Sequence, residues 1–281
     1  MNHVSRLRLV GSLSAGMALL CGCNAGGESS GKTTSSGAGG GSSGTDSSGS
    51  GGINLTVGAG GSLTGTGVGG GTDCSGGLTV IVRDFTTSNK DFEPGVSADD
   101  TGIVLPDLGA DGKPVYAGNP TTPTTHGKES FDQWYRDVDG VNINIPIKIQ
   151  LTEGAGGVFT YDNQKFFPID GKGFGDEGNP HNYHFTNEVH TKFTYKGGES
   201  FTFSGDDDLF GYVNKKLVIN LGGIHSAETK TLDLDTLADE LGLKIGGTYS
   251  LDLFGAERHV TESHYRIDTT INCFVDVPPA K

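Results

Sequence analysis

From Leu78 onward apolar and polar residues alternate in short runs, the period of a strand with one buried face. Leu78–Phe85 reads as one such strand. Residues 184–195 show the pattern most clearly. Phe185, Val189, Phe193 and Tyr195 fall on one face; His184, Glu188, His190 and Lys192 fall on the other. Residues 142–150 alternate around Pro146, as an edge strand or a bulge does, because proline has no N–H for a central ladder. Phe201–Phe203, Lys216–Leu221, Thr248–Phe254 and His264–Ile271 are further strands. One helix is predicted, with Asp235 capping residues 236–241 and Gly242 ending it. Residues 91–132 are rich in Gly, Pro and Asp and read as long loops. Many short strands with turn signals predict an all-β fold: a single antiparallel β-sandwich with long loops and one short helix. Residues 74–277 are enough for one substantial core.

The first part of the chain has a different texture. Arg6 and Arg8 precede a short apolar stretch from Leu9 to Leu20, the layout of an export signal over residues 1–22. Leu20-Cys21-Gly22-Cys23 resembles a lipobox, which implies cleavage before Cys23 and a lipid on its sulfur. Residues 23–73 are mostly Gly, Ser and Thr and bury too little apolar surface to order themselves. They read as a flexible tether, followed by the sandwich over residues 74–277 and a tail over 278–281. Cys74 and Cys273 then remain, one at each end of the folded part. Export into an oxidising compartment predicts that they form a disulfide. The expected location is the cell surface or outer membrane of a bacterium, with lipid as the only membrane attachment. The net charge of -14 argues against a nucleic-acid partner.

Candidate chemistry concentrates in Asp206, Asp207 and Asp208, three consecutive carboxylates between β-type segments. They repel one another unless a cation sits among them, and hard carboxylate oxygens suit Ca²⁺. The later loop from Glu257 to Ser263 supplies Arg258, which offers a second way to neutralise the run. Both readings are open at this level. The histidines match no standard zinc spacing. No nucleophile elbow, phosphate loop or dinucleotide fingerprint occurs, so the chain is not expected to be an enzyme. Paired carboxylates leave a carbohydrate-active enzyme as the lesser reading. Trp134 is expected in the core rather than stacked on a sugar.

Several stretches, in order, resemble the fibro-slime domain. They are Arg83-Asp84-Phe85, Phe166-Phe167-Pro168-Ile169-Asp170-Gly171, His181-Asn182-Tyr183-His184-Phe185, Phe193-Thr194-Tyr195-Lys196-Gly197-Gly198, Phe201–Asp208, Leu221–His225 and Ala256–Arg266. That family is similar to the protective-antigen and flocculin type of β-sandwich. The resemblance implies an Asp206–Asp207 pair joined by a cis peptide and holding Ca²⁺ against glycan hydroxyls. It also implies glycan-binding candidates in Glu257, Arg258, His259 and Ser263. Asp208 stands where the related sandwiches usually have Gly, and is expected as an extra ligand. Asn214-Lys215 stands where they usually have Asp-Gly. The implied function is calcium-dependent binding of an extracellular glycan or matrix polysaccharide in adhesion. A structural slime component without specific sugar binding is the alternative.

Overall fold

The computed structural model describes residues 74 and 76–277. The leader, the tether with Cys23, and the tail lie outside the described residues. The strands are β1 (Gly77–Asp84), β2 (Ala98–Asp99), β3 (Ile143–Gln150), β4 (Thr152–Glu153), β5 (Phe159–Asn163), β6 (Phe185–Thr194), β7 (Ser200–Gly205), β8 (Asp208–Val213), β9 (Lys216–Leu221), β10 (Gly223–Ile224), β11 (Glu228–Asp233), β12 (Thr248–Glu257), β13 (Tyr265–Thr269) and β14 (Val275–Asp276). The helices are α1 (Lys128–Phe131) and α2 (Leu234–Leu241). No helix of the described residues is long and apolar enough to cross a membrane.

Every strand pair is antiparallel. One seven-stranded sheet runs β3-β1-β6-β12-β8-β9, with β14 also on β6; a five-stranded sheet runs β11-β7-β13-β5-β4. Their facing sides form the main core. Phe185, Val189 and Phe193 of β6 meet Phe201 and Phe203 of β7 and Ile267 of β13 there. The alternation read from β6 is therefore the alternation that packs. The strand with Pro146 is an edge strand, paired only with β1, where Pro146 sits opposite Ile81 without a bulge.

The single core expected from the sequence is two. A second apolar cluster lies on the outer side of the large sheet. Phe210 and Tyr212 of β8 and Phe254 of β12 are covered there by Ile103, Tyr116, Phe131, Trp134 and Tyr135. All five covering residues come from the Gly-, Pro- and Asp-rich connection between β1 and β3, which forms an outer layer. Trp134 is fully enclosed in it, as expected. Strand β8 is consequently buried at all six positions, and no alternation announces it.

Two local expectations shift. The α2 cap is Asp233, which accepts from the N–H groups of Asp235 and Thr236; Asp235 instead accepts from Tyr195 Oη and the Gly198 N–H. Gly242 ends the helix in the left-handed region, as expected. Asn214 and Lys215 both take positive φ, the geometry of a type I′ turn, so the β8–β9 hairpin closes without the usual glycine. Cys74 and Cys273 are disulfide-bonded across a sequence separation of 199. The chain-entropy model assigns a loop of that length about 5 kcal/mol.

Candidate functional site

Two crossovers between the sheets meet at one end of the sandwich. Asp206 and Asp207 join β7 of the small sheet to β8 of the large one, and residues 258–264 join β12 back to β13. Register brings them together: Gly205 lies opposite Tyr265, and Asp208 lies opposite Ala256. The approach is close enough that a Cβ on Gly205 would stand 2.5 Å from the His264 carbonyl oxygen. The Asp206–Asp207 peptide is cis, as the resemblance implied.

The three aspartates have different surroundings. Asp208, the first residue of β8, points toward the outer layer. Its Oδ2 takes Arg258 Nε at 2.6 Å and its Oδ1 takes the Gly223 N–H at 2.7 Å. Asp208 is fully buried and its charge is met by an equally buried guanidinium, which sets it apart from the expected ligand trio. Arg258 is fully buried. Its Nη1 donates to the carbonyls of Asp91 (3.0 Å) and Thr124 (2.8 Å), and its guanidinium lies 4.8 Å from the centre of the Trp134 ring. It pins the outer layer to the sandwich tip.

Asp206 and Asp207 lie in the crossover itself, with little of either side chain exposed. Asp206 accepts from the His264 N–H at 2.6 Å and meets His264 Nδ1 at 2.7 Å. Asp207 accepts from the backbone N–H groups of His225 (3.2 Å) and Arg258 (3.1 Å). Burial and the neighbouring Asp208 push the Asp207 carboxyl up to about 7, despite Arg258. Glu257, the last residue of β12, is 2% exposed, and its Oε2 has no hydrogen-bond partner. Burial, then Asp207 and Asp206, push its carboxyl well above the ordinary range. When ionised, an unpartnered buried carboxylate oxygen near two more carboxylates is costly, and either a proton or a cation relieves it.

A cleft of ≈ 440 Å³ opens over this point, lined by Asp206, Asp207, Ile224, His225, His259 and Glu262 among others. Of the predicted glycan candidates, His259 alone lines it. Arg258 has no exposed surface, so direct sugar contact by its side chain is ruled out by burial. Glu257 and Ser263 are also enclosed, and Ser263 Oγ donates to the Phe166 carbonyl at 2.8 Å.

Two residues escaped the sequence reading. Asp206, Glu262 and His264 each offer a ligand atom, all within 4.8 Å of one another. His264 was read as a strand residue, yet it lies one position before β13. In sequence, the only signal is its place at the mouth of the loop that returns beside the Asp run.

No family model matches the chain. Protein psiQ of Dictyostelium discoideum is 40% identical over 211 residues, covering 69% of this chain and 21% of that protein. Protein psiD of the same organism is 42% identical over 185 residues, covering 61% of this chain and 36% of its own. The chain thus spans between a fifth and two fifths of the length of these relatives. Among solved structures, the PA14 domain of the MpAFP antifreeze protein superposes with a TM-score of 0.32 at 8% identity, covering 73% of this chain and 88% of that one. The PA14 sugar-binding domain from an RTX adhesin gives 0.26 at 13% identity, covering 40% and 70%. These structural likenesses are too faint to bear on function. A region covering about two thirds of this chain is homologous to a segment of the Dictyostelium psi proteins.

Proposed function

We propose that this chain is an exported, surface-held adhesion module of the fibro-slime type. In this reading Asp206, Asp207 and Glu257 hold Ca²⁺ at the sandwich tip, and the ion takes hydroxyls of an extracellular glycan. The observation that carries it is Glu257 Oε2, buried and unpartnered beside Asp206 and Asp207. Each aspartate oxygen that already accepts a hydrogen bond keeps a second lone pair for an ion. Calcium accepts six to eight oxygens in flexible geometry, so protein carboxylates leave positions for sugar hydroxyls. His259 lines the cleft beside those positions and would orient a glycan by a hydrogen bond, while the His225 ring, held by the Ser226 and Leu221 carbonyls, shapes the wall. Weak single-site binding is compensated by many copies on one surface. Cys23 would carry the lipid that holds the module there, with residues 24–73 as spacer. The disulfide fits the oxidising compartment this location requires. The activity is binding, without turnover.

The test is calcium calorimetry on the full chain beside Asp207→Asn. Heat in the wild type that is lost in the variant supports the reading. Zinc heat lost in His264→Ala, with none for calcium, would assign the site to Asp206, Glu262 and His264 and overturn it. No heat from either ion would favour a slime component that needs no calcium.

A further inference from the structure

Thr261 and Glu262 line the calcium cleft and also a second cleft of ≈ 310 Å³, so the two are neighbours across that dipeptide. Both volumes lie within the range of small-molecule sites, about 300–1,000 Å³. The second cleft has an aromatic wall. The Phe167 and His181 rings stack 3.9 Å apart at 3°, and Tyr183 meets Phe167 edge-on at 5.0 Å. Asp170 Oδ2 holds His181 Nδ1 at 2.7 Å, which fixes the wall before any ligand arrives. Lys165 and Glu262 supply charged groups in the same lining.

A pre-set aromatic wall with polar groups around it suits a pyranose, which offers C–H groups to the rings and hydroxyls to the polar groups. A purely apolar ligand would strip water from Lys165 and Glu262 without replacing it. Trp134, the aromatic residue the sequence offers first for such stacking, is enclosed in the outer layer and unavailable. We propose that this second cleft is a sugar subsite that takes the ring next to the one held at the ion. The preferred ligand is then a chain of linked sugars rather than a monosaccharide. This inference rests on the calcium–glycan reading above.

The experiment uses the full chain in calcium, with wild type, Phe167→Ala and His181→Ala. The probes are methyl glycosides of glucose, mannose, galactose and N-acetylglucosamine, and the di- and tetrasaccharides built from each. The expected result is about tenfold tighter binding of the oligosaccharide than of its monosaccharide, the weight of one well-placed aromatic contact. Phe167→Ala should erase that gain and leave calcium binding and monosaccharide affinity unchanged. Oligosaccharide binding without measurable monosaccharide binding, lost in the variant, carries the same meaning. His181→Ala, which removes half of the stack, serves if calcium heat shows that Phe167→Ala has not folded. Equal affinity for short and long sugars, or a gain that survives in both variants, overturns the subsite and leaves the calcium reading standing. Absence of calcium heat, or of any sugar binding across the panel, overturns the calcium–glycan reading and the subsite with it.

Discussion

At Arg258 a full positive charge sits where no water reaches it. The guanidinium is held there by Asp208, two backbone carbonyls and the face of Trp134. Removing one partner of such a pair leaves the other as an uncompensated buried charge. Arg258→Met is therefore expected to cost about 3–5 kcal/mol, read as a lower midpoint in urea unfolding. A loss within ±0.5 kcal/mol, typical of surface substitutions, would show that Arg258 does not tie the outer layer down. The Asp triplet was legible in the sequence as a place where charge must be neutralised. Its division was not. Asp208 starts a strand and turns inward to Arg258, whereas Asp206 and Asp207 stay in the crossover. That split follows from the peptide geometry and sheet register, which a run of identical letters does not encode.

Among the elements, β6 shows how far alternation can be read. Its inward face was correct residue by residue, because a two-residue period is intrinsic to a strand. Its outward face, read as polar, is buried in its first half and exposed at Lys192 and Thr194. Glu188 is enclosed under the outer layer, with Lys113 Nζ at 2.6 Å and Arg83 Nη1 at 3.3 Å. Burial alone would raise its carboxyl. His190, Arg83 and Lys113 override that and hold it down at about 2. A carboxyl depressed from 4.5 contributes stability that is complete above about pH 4.5 and is lost as pH falls toward 2. The contribution is about 3 kcal/mol. Urea unfolding from pH 6 to pH 2 should show that loss. In Lys113→Met the loss should begin at higher pH, since one of the cations is gone. An unchanged profile would remove Lys113 from the network. Lys113 was invisible as a partner because it sits in a loop 75 residues from Glu188.

For the molecule as a whole, the proposed cation site couples to stability with a definite sign. The Asp207 and Glu257 carboxyls are raised in the folded state, by burial first and neighbouring carboxylates second. Groups raised in this way cost stability above their unfolded values and return it as they take up protons. With chelator at pH 8 the sandwich should melt below its calcium-bound temperature. Asp207→Asn removes the repelling charge but also one of the two oxygens that accept backbone N–H groups, so the charge is read from the pH slope: in chelator the variant should lose less stability than wild type from pH 5 to pH 8, and it should no longer respond to calcium. An equal loss in variant and wild type would contradict the repulsion.

The sequence by itself determined the strand periods, the glycine that ends α2, the cysteine pair and the acidic run; at Pro146 it left an edge strand or a bulge, and the sheet order decided for the edge. Each of these depends on local geometry or on the chemistry of a residue type, and both are written in neighbouring letters. Only the tertiary structure decided that a glycine- and proline-rich connection becomes an outer layer with its own aromatic core. The same is true of Arg258 serving Asp208 alone, and of Glu257 Oε2 ending buried beside Asp206 and Asp207. These are matters of what covers a face once two sheets and their crossovers have packed. Alternation says which side a residue points to; the chain folded back from far away says what it meets there.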